Sequence, residues 1–295
     1  GYGGRPVPSR LAGFDEMLEI ADAVGRSGHG IIQYNVGRDP RWEEYEALVT
    51  KSGRPLVWTA LLAGSLGPNS HRPQLARAAE QVARGFRIYP QGACRPIQIE
   101  FDFHSPVVFD TWASFAAARE ATDDAGLRAV YADPAFRARV KRQADGRGPD
   151  DATFMGKELE GDTRRATFWT YVIAGTKDPA LRERRLADVA RERGVHAVDL
   201  MLDLALEDLD TRMRASLLNF AEDEVREILR DPNVVIGLGD GGAHLSQLCD
   251  ACYATHLLGH WVREDGALTL EQAVHRLTGA TADLFGLVDR GRLAV

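Results

Sequence analysis

Asp240 and His244 are the side chains of this sequence best placed to do chemistry. They stand four residues apart in Val234-Val-Ile-Gly-Leu-Gly-Asp-Gly-Gly-Ala-His244. The β-branched residues Val234, Val235 and Ile236 predict a short buried strand, and Asp231-Pro232-Asn233 punctuates its entrance. One carboxylate at the carboxyl end of a strand that feeds a helix is how (β/α) enzymes present a catalytic group. His244, in the loop that the strand feeds, can orient substrate, ligate a metal or relay a proton. The plain alternative is an ordinary strand–helix turn, with Asp240 as an N-cap and His244 as a cap or a solvent contact.

Other patterns compete with this one. Gly237-Leu-Gly-Asp-Gly-Gly242 fits the G-x-G-x-x-G of a dinucleotide-binding turn. That turn belongs to the first strand of its fold, whereas here the residues that follow read as all helical. Cys249, Cys252, His256 and His260 form C-x2-C-x3-H-x3-H. On one helix, a rise of ~1.5 Å per residue spreads the four along ~16 Å, which cannot surround a tetrahedral ion. A helix face of Leu248, Cys252 and Leu258, with thiols packing as small apolar groups, is the better reading. Arg95, in Gln91-Gly-Ala-Cys-Arg-Pro96, is a loop arginine beyond a strand. It can pair with a substrate carboxylate or form a surface salt bridge. His104 also sits just past a strand, with a weaker claim. His29, His71, His196 and His275 lie in polar or helical contexts and read as structural. No nucleophile motif of the G-x-S-x-G kind is present.

The elements that must position these residues alternate. Apolar spacing predicts helices over 14–26, 40–51 and 72–84, and strands over 30–35, 54–60 and 86–89. This β-α-β-α-β order predicts parallel strands with helical crossovers. Residues 97–103 alternate strictly and read as a strand or hairpin arm. Further helices are expected over 112–121, 134–144, 178–193, 197–207, 222–230, 246–264 and 270–278. Further strands are expected over 167–173, 217–220 and 234–239. The charged, turn-rich stretch 145–151 reads as a linker. Five or six strands are too few for a closed eight-stranded barrel and suit the C-terminal part of one.

Composition excludes several classes. The 295 residues are 44% hydrophobic and 27% charged, with a net charge of −7 and both signs interspersed. Nothing suggests a nucleic-acid groove or a membrane-attracted face. No apolar run reaches the ~18 residues of a membrane span, and no signal peptide is visible. Three cysteines are no disulfide framework and fit a reducing cytoplasm. Gly1-Tyr-Gly-Gly-Arg-Pro at one end and Leu293-Ala-Val295 at the other read as cuts from a longer protein, so we expect a fragment.

The segment 234–244 resembles the amidohydrolase superfamily, in its D-aminoacylase branch of N-acyl-D-amino-acid deacylases. The resemblance continues in Leu257-Leu-Gly-His-Trp-Val-Arg263 and Leu270-Glu-Gln-Ala-Val-His-Arg-Leu-Thr-Gly-Ala280. It extends to Leu284-Phe-Gly-Leu-Val-Asp-Arg-Gly-Arg-Leu293, and Leu217-Leu-Asn-Phe-Ala-Glu-Asp-Glu-Val225 is similar to the approach to the last barrel strand. It covers about the final 80 residues strongly. The rest is similar in strand–helix order. It implies a metal-dependent (β/α)8 (TIM) barrel that hydrolyses amide bonds with a metal-activated water. Asp240 then matches the acid that handles the water's proton and touches the metal, expected to be Zn2+. Gly239, Gly241 and Gly242 would let backbone approach the metal or substrate.

Two departures matter. The family's His-x-His is absent, as expected if its strand lies upstream of Gly1. The stretch that should carry a Ser-His-Leu-like ligand, Arg54-Pro-Leu-Val-Trp-Thr-Ala-Leu-Leu62, has no His. The expectation is an α/β chain, the C-terminal portion of a TIM barrel over 1–295, with an insertion or subdomain around 105–165. Asp240 is its catalytic residue and metal ligand; His244, Gly241 and Arg95 contact a small-molecule substrate. Neither nucleic acid nor membrane is a partner, and a homo-oligomer is left open. Two rivals remain: a non-catalytic barrel relative that binds a ligand or partner, and a nucleotide-binding α/β domain.

Overall fold

The computed structural model describes residues 12–35, 41–64, 67–109, 112–145, 153–154, 157–158, 171–237 and 251–293. Two compact units emerge. Among the described residues, one draws on 12–95, 221–237 and 252–293, the other on 96–220.

The first unit is built on a parallel sheet. Its strands are β1 (Ile32–Asn35), β2 (Leu56–Leu61), β3 (Ile88–Gly92) and β10 (Val235–Ile236), in the order β1-β2-β3-β10. Every pairing is parallel. Helices Trp42–Ser52 and His71–Ala83 make the first two crossovers, and Glu222–Arg230 leads into β10. Helix Trp42–Ser52 ends because Gly53 takes a left-handed conformation, its N–H bonding back to the Val49 carbonyl.

Side chains divide by parity across this sheet. Leu56, Trp58, Ile88 and Ile236 point into the apolar core with Tyr45, Leu48, Ile228, Leu229 and Trp261. Trp58 and Ile88 are fully buried, and each such side chain stabilises by roughly 1.5–3 kcal/mol. The opposite parity carries Gln33, Asn35, Thr59 and Gln91, the last three at the carboxyl halves of their strands.

The second unit holds an antiparallel sheet, ordered β4-β9-β7-β8. These strands are β4 (Ile97–Phe101), β7 (Val172–Gly175), β8 (Arg184–Arg185) and β9 (Arg212–Leu218); β5 (Thr153–Phe154) and β6 (Lys157–Glu158) pair separately. Its core is an aromatic nest of Phe101, Phe103, Phe109, Phe115, Tyr131, Phe136 and Tyr171. Phe109 and Phe115 stack with ring centroids 4.2 Å apart.

Several expectations change here. The strands do not form one alternating series, because β4, β7, β8 and β9 belong to the separate antiparallel sheet. The described strands form no closed barrel: four run parallel, half of what an eight-stranded barrel needs. The helix expected over 178–193 is broken. A 3-10 turn at Pro179–Leu181 and the short β8 come first, and helix Leu186–Arg193 follows. Glu183 between them has φ +58°, which no α-helix accommodates. Among the described residues no helix is long and apolar enough to cross a membrane.

Candidate functional site

One face of the parallel sheet carries a linked polar row, running from the amino half of β1 to the carboxyl halves of β2 and β3. Gln33 Nε2 donates to Thr59 Oγ1 at 3.0 Å and to Gln91 Oε1 at 3.2 Å. Thr59 Oγ1 donates to Gln91 Oε1 at 2.7 Å. The row spans β1, β2 and β3 because parallel register sets Thr59 directly opposite Gln91. β10 continues the sheet, with Gln91 opposite Val235 and the Gly237 N–H donating to the Gly92 carbonyl at 3.2 Å. Gly92 is dictated by packing: a Cβ there would lie 2.9 Å from Ile228 Cγ2 and 3.0 Å from Val234 Cγ1.

Beyond β3 the chain turns through Cys94 and Arg95 and is clamped onto the helix that starts at Tyr253. Cys94 Sγ donates to the Tyr253 carbonyl at 3.1 Å, and Trp261 Nε1 donates to the Cys94 carbonyl at 2.6 Å. Burial pushes the Cys94 thiol up to about 12, so it is no nucleophile. The helix opens as Tyr253–His256 and widens to a π-helix over Leu257–Glu264. Such widening is frequent at functional sites; here it seats Leu257 and Trp261 in the core.

Arg95 Nη1 donates to Cys252 Sγ at 2.7 Å. Of the four substrate- and metal-directed expectations, Arg95 is the one the structure describes. Asp240, Gly241 and His244 lie outside the described residues, as do Gly239, Gly242 and Cys249. The expected packing role for Cys252 is corrected: it is exposed and meets a guanidinium rather than an apolar face.

His256 and His260 stack with centroids 5.1 Å apart, and their environments push them in opposite directions. Burial, then the charges of Arg95 and His260, hold His256 below the ordinary imidazole value. The hydrogen bond to Glu264, reinforced by Glu222, holds His260 above it. His260 reaches both carboxylates at 3.1 Å.

Three further histidines are held by protein groups. His71 is buried between Glu224 and Glu227 at 3.3 and 3.0 Å. His196 caps a helix through the Val198 N–H. His104, in the second unit, pairs with Asp124 and Asp210 at 3.2 Å each. A cavity of about 270 Å³ lies at the opposite, amino end of β3 and β10, lined by Arg87, Asn233 and Arg276 among others. It does not adjoin the polar row.

A zinc centre needs imidazole, thiolate or carboxylate ligands. Among the described residues no three His, Cys, Asp or Glu side chains come together to hold a metal. The described strand ends offer neutral amides and a hydroxyl instead, and they do not fit zinc. Sequence reasoning overlooked Gln33, Thr59, Gln91 and Tyr253. Strand parity could have found the first three, since each is the polar member of an alternating or bulky apolar run.

Comparison with known proteins follows the same lines. The model of the amidohydrolase family matches residues 20–295. An uncharacterised protein of Mycobacterium tuberculosis is 26% identical over 198 residues, which is 65% of this chain and 31% of that protein. A D-aminoacylase of Alcaligenes xylosoxydans xylosoxydans is 36% identical over 119 residues, 39% of this chain and 23% of the enzyme. An N-acyl-D-glutamate deacylase of the same organism is 37% identical over 125 residues, 41% of this chain and 24% of the enzyme. Among solved structures, D-aminoacylase superposes with a TM-score of 0.50 at 19% identity, over 97% of this chain and 48% of that one. N-acyl-D-glutamate deacylase from Bordetella bronchiseptica, complexed with zinc and a phosphonate inhibitor, gives 0.51 at 18% identity, with the same coverage. The chain thus spans about half the length of the solved structures it matches.

Proposed function

Because this chain belongs to the amidohydrolase family, we propose that it contributes the carboxyl-terminal half of a barrel that hydrolyses N-acyl amides, with N-acyl-D-amino acids as substrates. The observation that carries the reading is the parallel sheet ending in β10. Its last described residue, Gly237, is hydrogen-bonded to Gly92 at the carboxyl end of β3, and Asp240 follows three residues later in the sequence. Catalytic groups of (β/α) folds stand after strands at that end.

In this proposal Asp240 takes the proton of the attacking water and delivers it to the leaving amine. It would also be the chain's own metal ligand, with zinc the expected ion and its other ligands outside the described residues. A divalent ion held there would supply a water acidic enough to attack at neutral pH. Gly241 lets the backbone come close to substrate, His244 orients it, and Arg95 pairs with its carboxylate. The polar row of Gln33, Thr59 and Gln91 lies on one face of the parallel sheet. A second reading draws support from that row: neutral residues where zinc ligands could stand also suit a barrel that binds a small molecule without hydrolysing it.

The test is Asp240→Ala in the full-length gene product, assayed on a panel of N-acyl-D- and N-acyl-L-amino acids. Turnover should fall by at least ~100-fold with the fold intact. Turnover within about tenfold of the parent would overturn the assignment.

A further inference from the structure

The cavity at the amino end of β3 and β10 carries charge that the protein leaves unmatched. It encloses about 270 Å³ within the first unit. Two guanidinium groups line it, Arg87 just before β3 and Arg276 on helix Leu270–Leu277. Among the described residues neither forms an ion pair, and the Arg87 side chain makes no hydrogen bond. Asp283 also lines the cavity, but its carboxylate is paired with Arg292. Burial pulls the Arg276 guanidinium below its ordinary value, against the charge of Asp231.

The two cations are held differently. Arg276 Nη1 donates to the Leu229 carbonyl at 2.9 Å, and Nη2 donates to the Val234 carbonyl. Leu229 lies in the last turn of helix Glu222–Arg230, where spare carbonyls favour a cation. These bonds tie helix Leu270–Leu277 to the entrance of β10 and fix the guanidinium in place. They leave its Nε–H and one N–H on each Nη without a protein acceptor among the described residues. Arg87 has no such structural task. Its backbone is pinned, since its carbonyl accepts from the Leu56 N–H at 2.8 Å, but its guanidinium is free to close on a ligand. Asn233 is set in the same wall by a turn, its N–H donating to Asp231 Oδ1 at 2.8 Å. Val235 and Leu284 make the wall apolar elsewhere.

We propose that Arg87 and Arg276 clamp the carboxylate of a small organic acid in this cavity, with the acid's apolar body against Val235 and Leu284. The class follows from the lining. A planar carboxylate matches the fork of a guanidinium. An apolar body covers the wall that a bare inorganic anion would leave wet. The volume falls below the ~300 Å³ at which sites for drug-sized ligands begin, so the acid is small. Asp240 follows the carboxyl end of β10 in the sequence, whereas this cavity lies at the amino end. The site therefore stands or falls apart from the hydrolase reading.

The experiment uses the full-length gene product and three probes: para-fluorobenzoate, its neutral counterpart para-fluorobenzyl alcohol, and inorganic phosphate. The fluorinated probes are titrated by fluorine NMR, with phosphate added as a competitor. Position is read separately. Phenylglyoxal modifies accessible guanidinium groups, and peptide mass mapping follows Arg87 with and without para-fluorobenzoate. Arg87 is the residue to change, because Arg276 also holds the fold. The variants are Arg87→Gln, Arg87→Lys and, as a control for binding near the other arginine of interest, Arg95→Gln. Each is first checked for a parental urea midpoint.

We expect para-fluorobenzoate to bind at least about tenfold more tightly than the alcohol and to protect Arg87 from phenylglyoxal. Arg87→Gln should weaken its binding at least about tenfold. Arg87→Lys should keep part of the affinity, since it retains the charge without the fork. Arg95→Gln should bind as the parent does. No binding, equal affinity for acid and alcohol, unprotected Arg87, or parental affinity in Arg87→Gln would each overturn the site. A loss in Arg95→Gln that is absent in Arg87→Gln would place the probe elsewhere and overturn it as well. Phosphate that displaces para-fluorobenzoate at equal concentration would overturn the assignment to an acid with an apolar body.

Discussion

Replacing Gly92 by alanine tests whether the carboxyl end of the sheet is set by steric contact. The new methyl would meet Ile228 Cγ2 at 2.9 Å and Val234 Cγ1 at 3.0 Å. Non-bonded carbons rest at about 3.5–4.0 Å, so both contacts must open by roughly 0.5–1 Å. Neither neighbour has room, since Ile228 is 0% and Val234 2% exposed. Overpacking of this kind costs about 1–3 kcal/mol. Alanine's lower backbone entropy in a strand returns about 0.5–1 kcal/mol. The net expectation is a loss centred on about 1 kcal/mol. Urea denaturation followed by tryptophan fluorescence reads it directly, because Trp58 and Trp261 are buried in the same core as Ile228. The decisive comparison is a double-mutant cycle with Ile228→Ala, which removes the nearer methyl. Contacting residues show coupling of about 0.5–3 kcal/mol. The cost of Gly92→Ala should shrink in that background by at least the lower figure. A Gly92→Ala protein as stable as the parent, or a cost that is unchanged beside Ile228→Ala, would refute the packing argument.

Two further outcomes follow from the neighbouring helix. Cys94 should resist alkylation in the folded protein at pH 8 while Cys252 is modified, as read by peptide mass mapping, because the Cys94 thiol is buried and pushed up to about 12 whereas Cys252 is exposed; equal labelling of the two would contradict the clamp. In an NMR titration the two stacked rings should separate, His256 titrating below and His260 above the ordinary imidazole value. For His260 the folded value is raised, so its stabilisation is present in full below the ordinary imidazole value and is lost as pH rises through the folded one. His260→Gln should remove that part of the pH dependence, and an unchanged stability–pH profile would count against the Glu222–His260–Glu264 link.

Much of the parallel sheet is legible in the sequence. β1, β2 and β3 and the helices between them fall within a few residues of where apolar periodicity puts them, because each strand is short, apolar on one parity and bounded by Gly or Pro. The antiparallel sheet is harder to read. Arg212 and Arg214 sit on one face of β9 and pair with Glu100 and Glu183, while Met213 and Ala215 are buried on the other. The alternation is present, but two arginines in a row of seven mask it, and the strand is expected only from residue 217. Helix Asp124–Ala132 is missed although Asp123 caps it through the Gly126 N–H. Its apolar face is just Leu127, Val130 and Tyr131, too sparse to outweigh the surrounding charges. At the site, Arg95 is found for its charge, but its partner, the Cys252 thiol, is 157 residues away along the chain and only the fold brings the two together. Gln33, Thr59 and Gln91 are individually unremarked residue types, and they acquire meaning from register alone.

Register also bears on how the chemistry is divided. A parallel sheet ordinarily buries both faces beneath helices and reads as continuous apolar runs. This one keeps a polar parity across three adjacent strands. Solubility does not require that the three form a connected chain. Neutral amides and hydroxyls do not act as general acids or bases near neutral pH, and they are weak partners for zinc. They are good at fixing the direction of a donor. In the proposed enzyme, the strands therefore orient and the loop residue Asp240 transfers the proton. Changes in the row should act through the geometry of binding, and changes at Asp240 through the proton. The pH profile of kcat separates the two: it should keep its shape in Gln91→Leu at a lower ceiling, and a shifted acid limb in that variant would show that the row tunes the carboxylate instead.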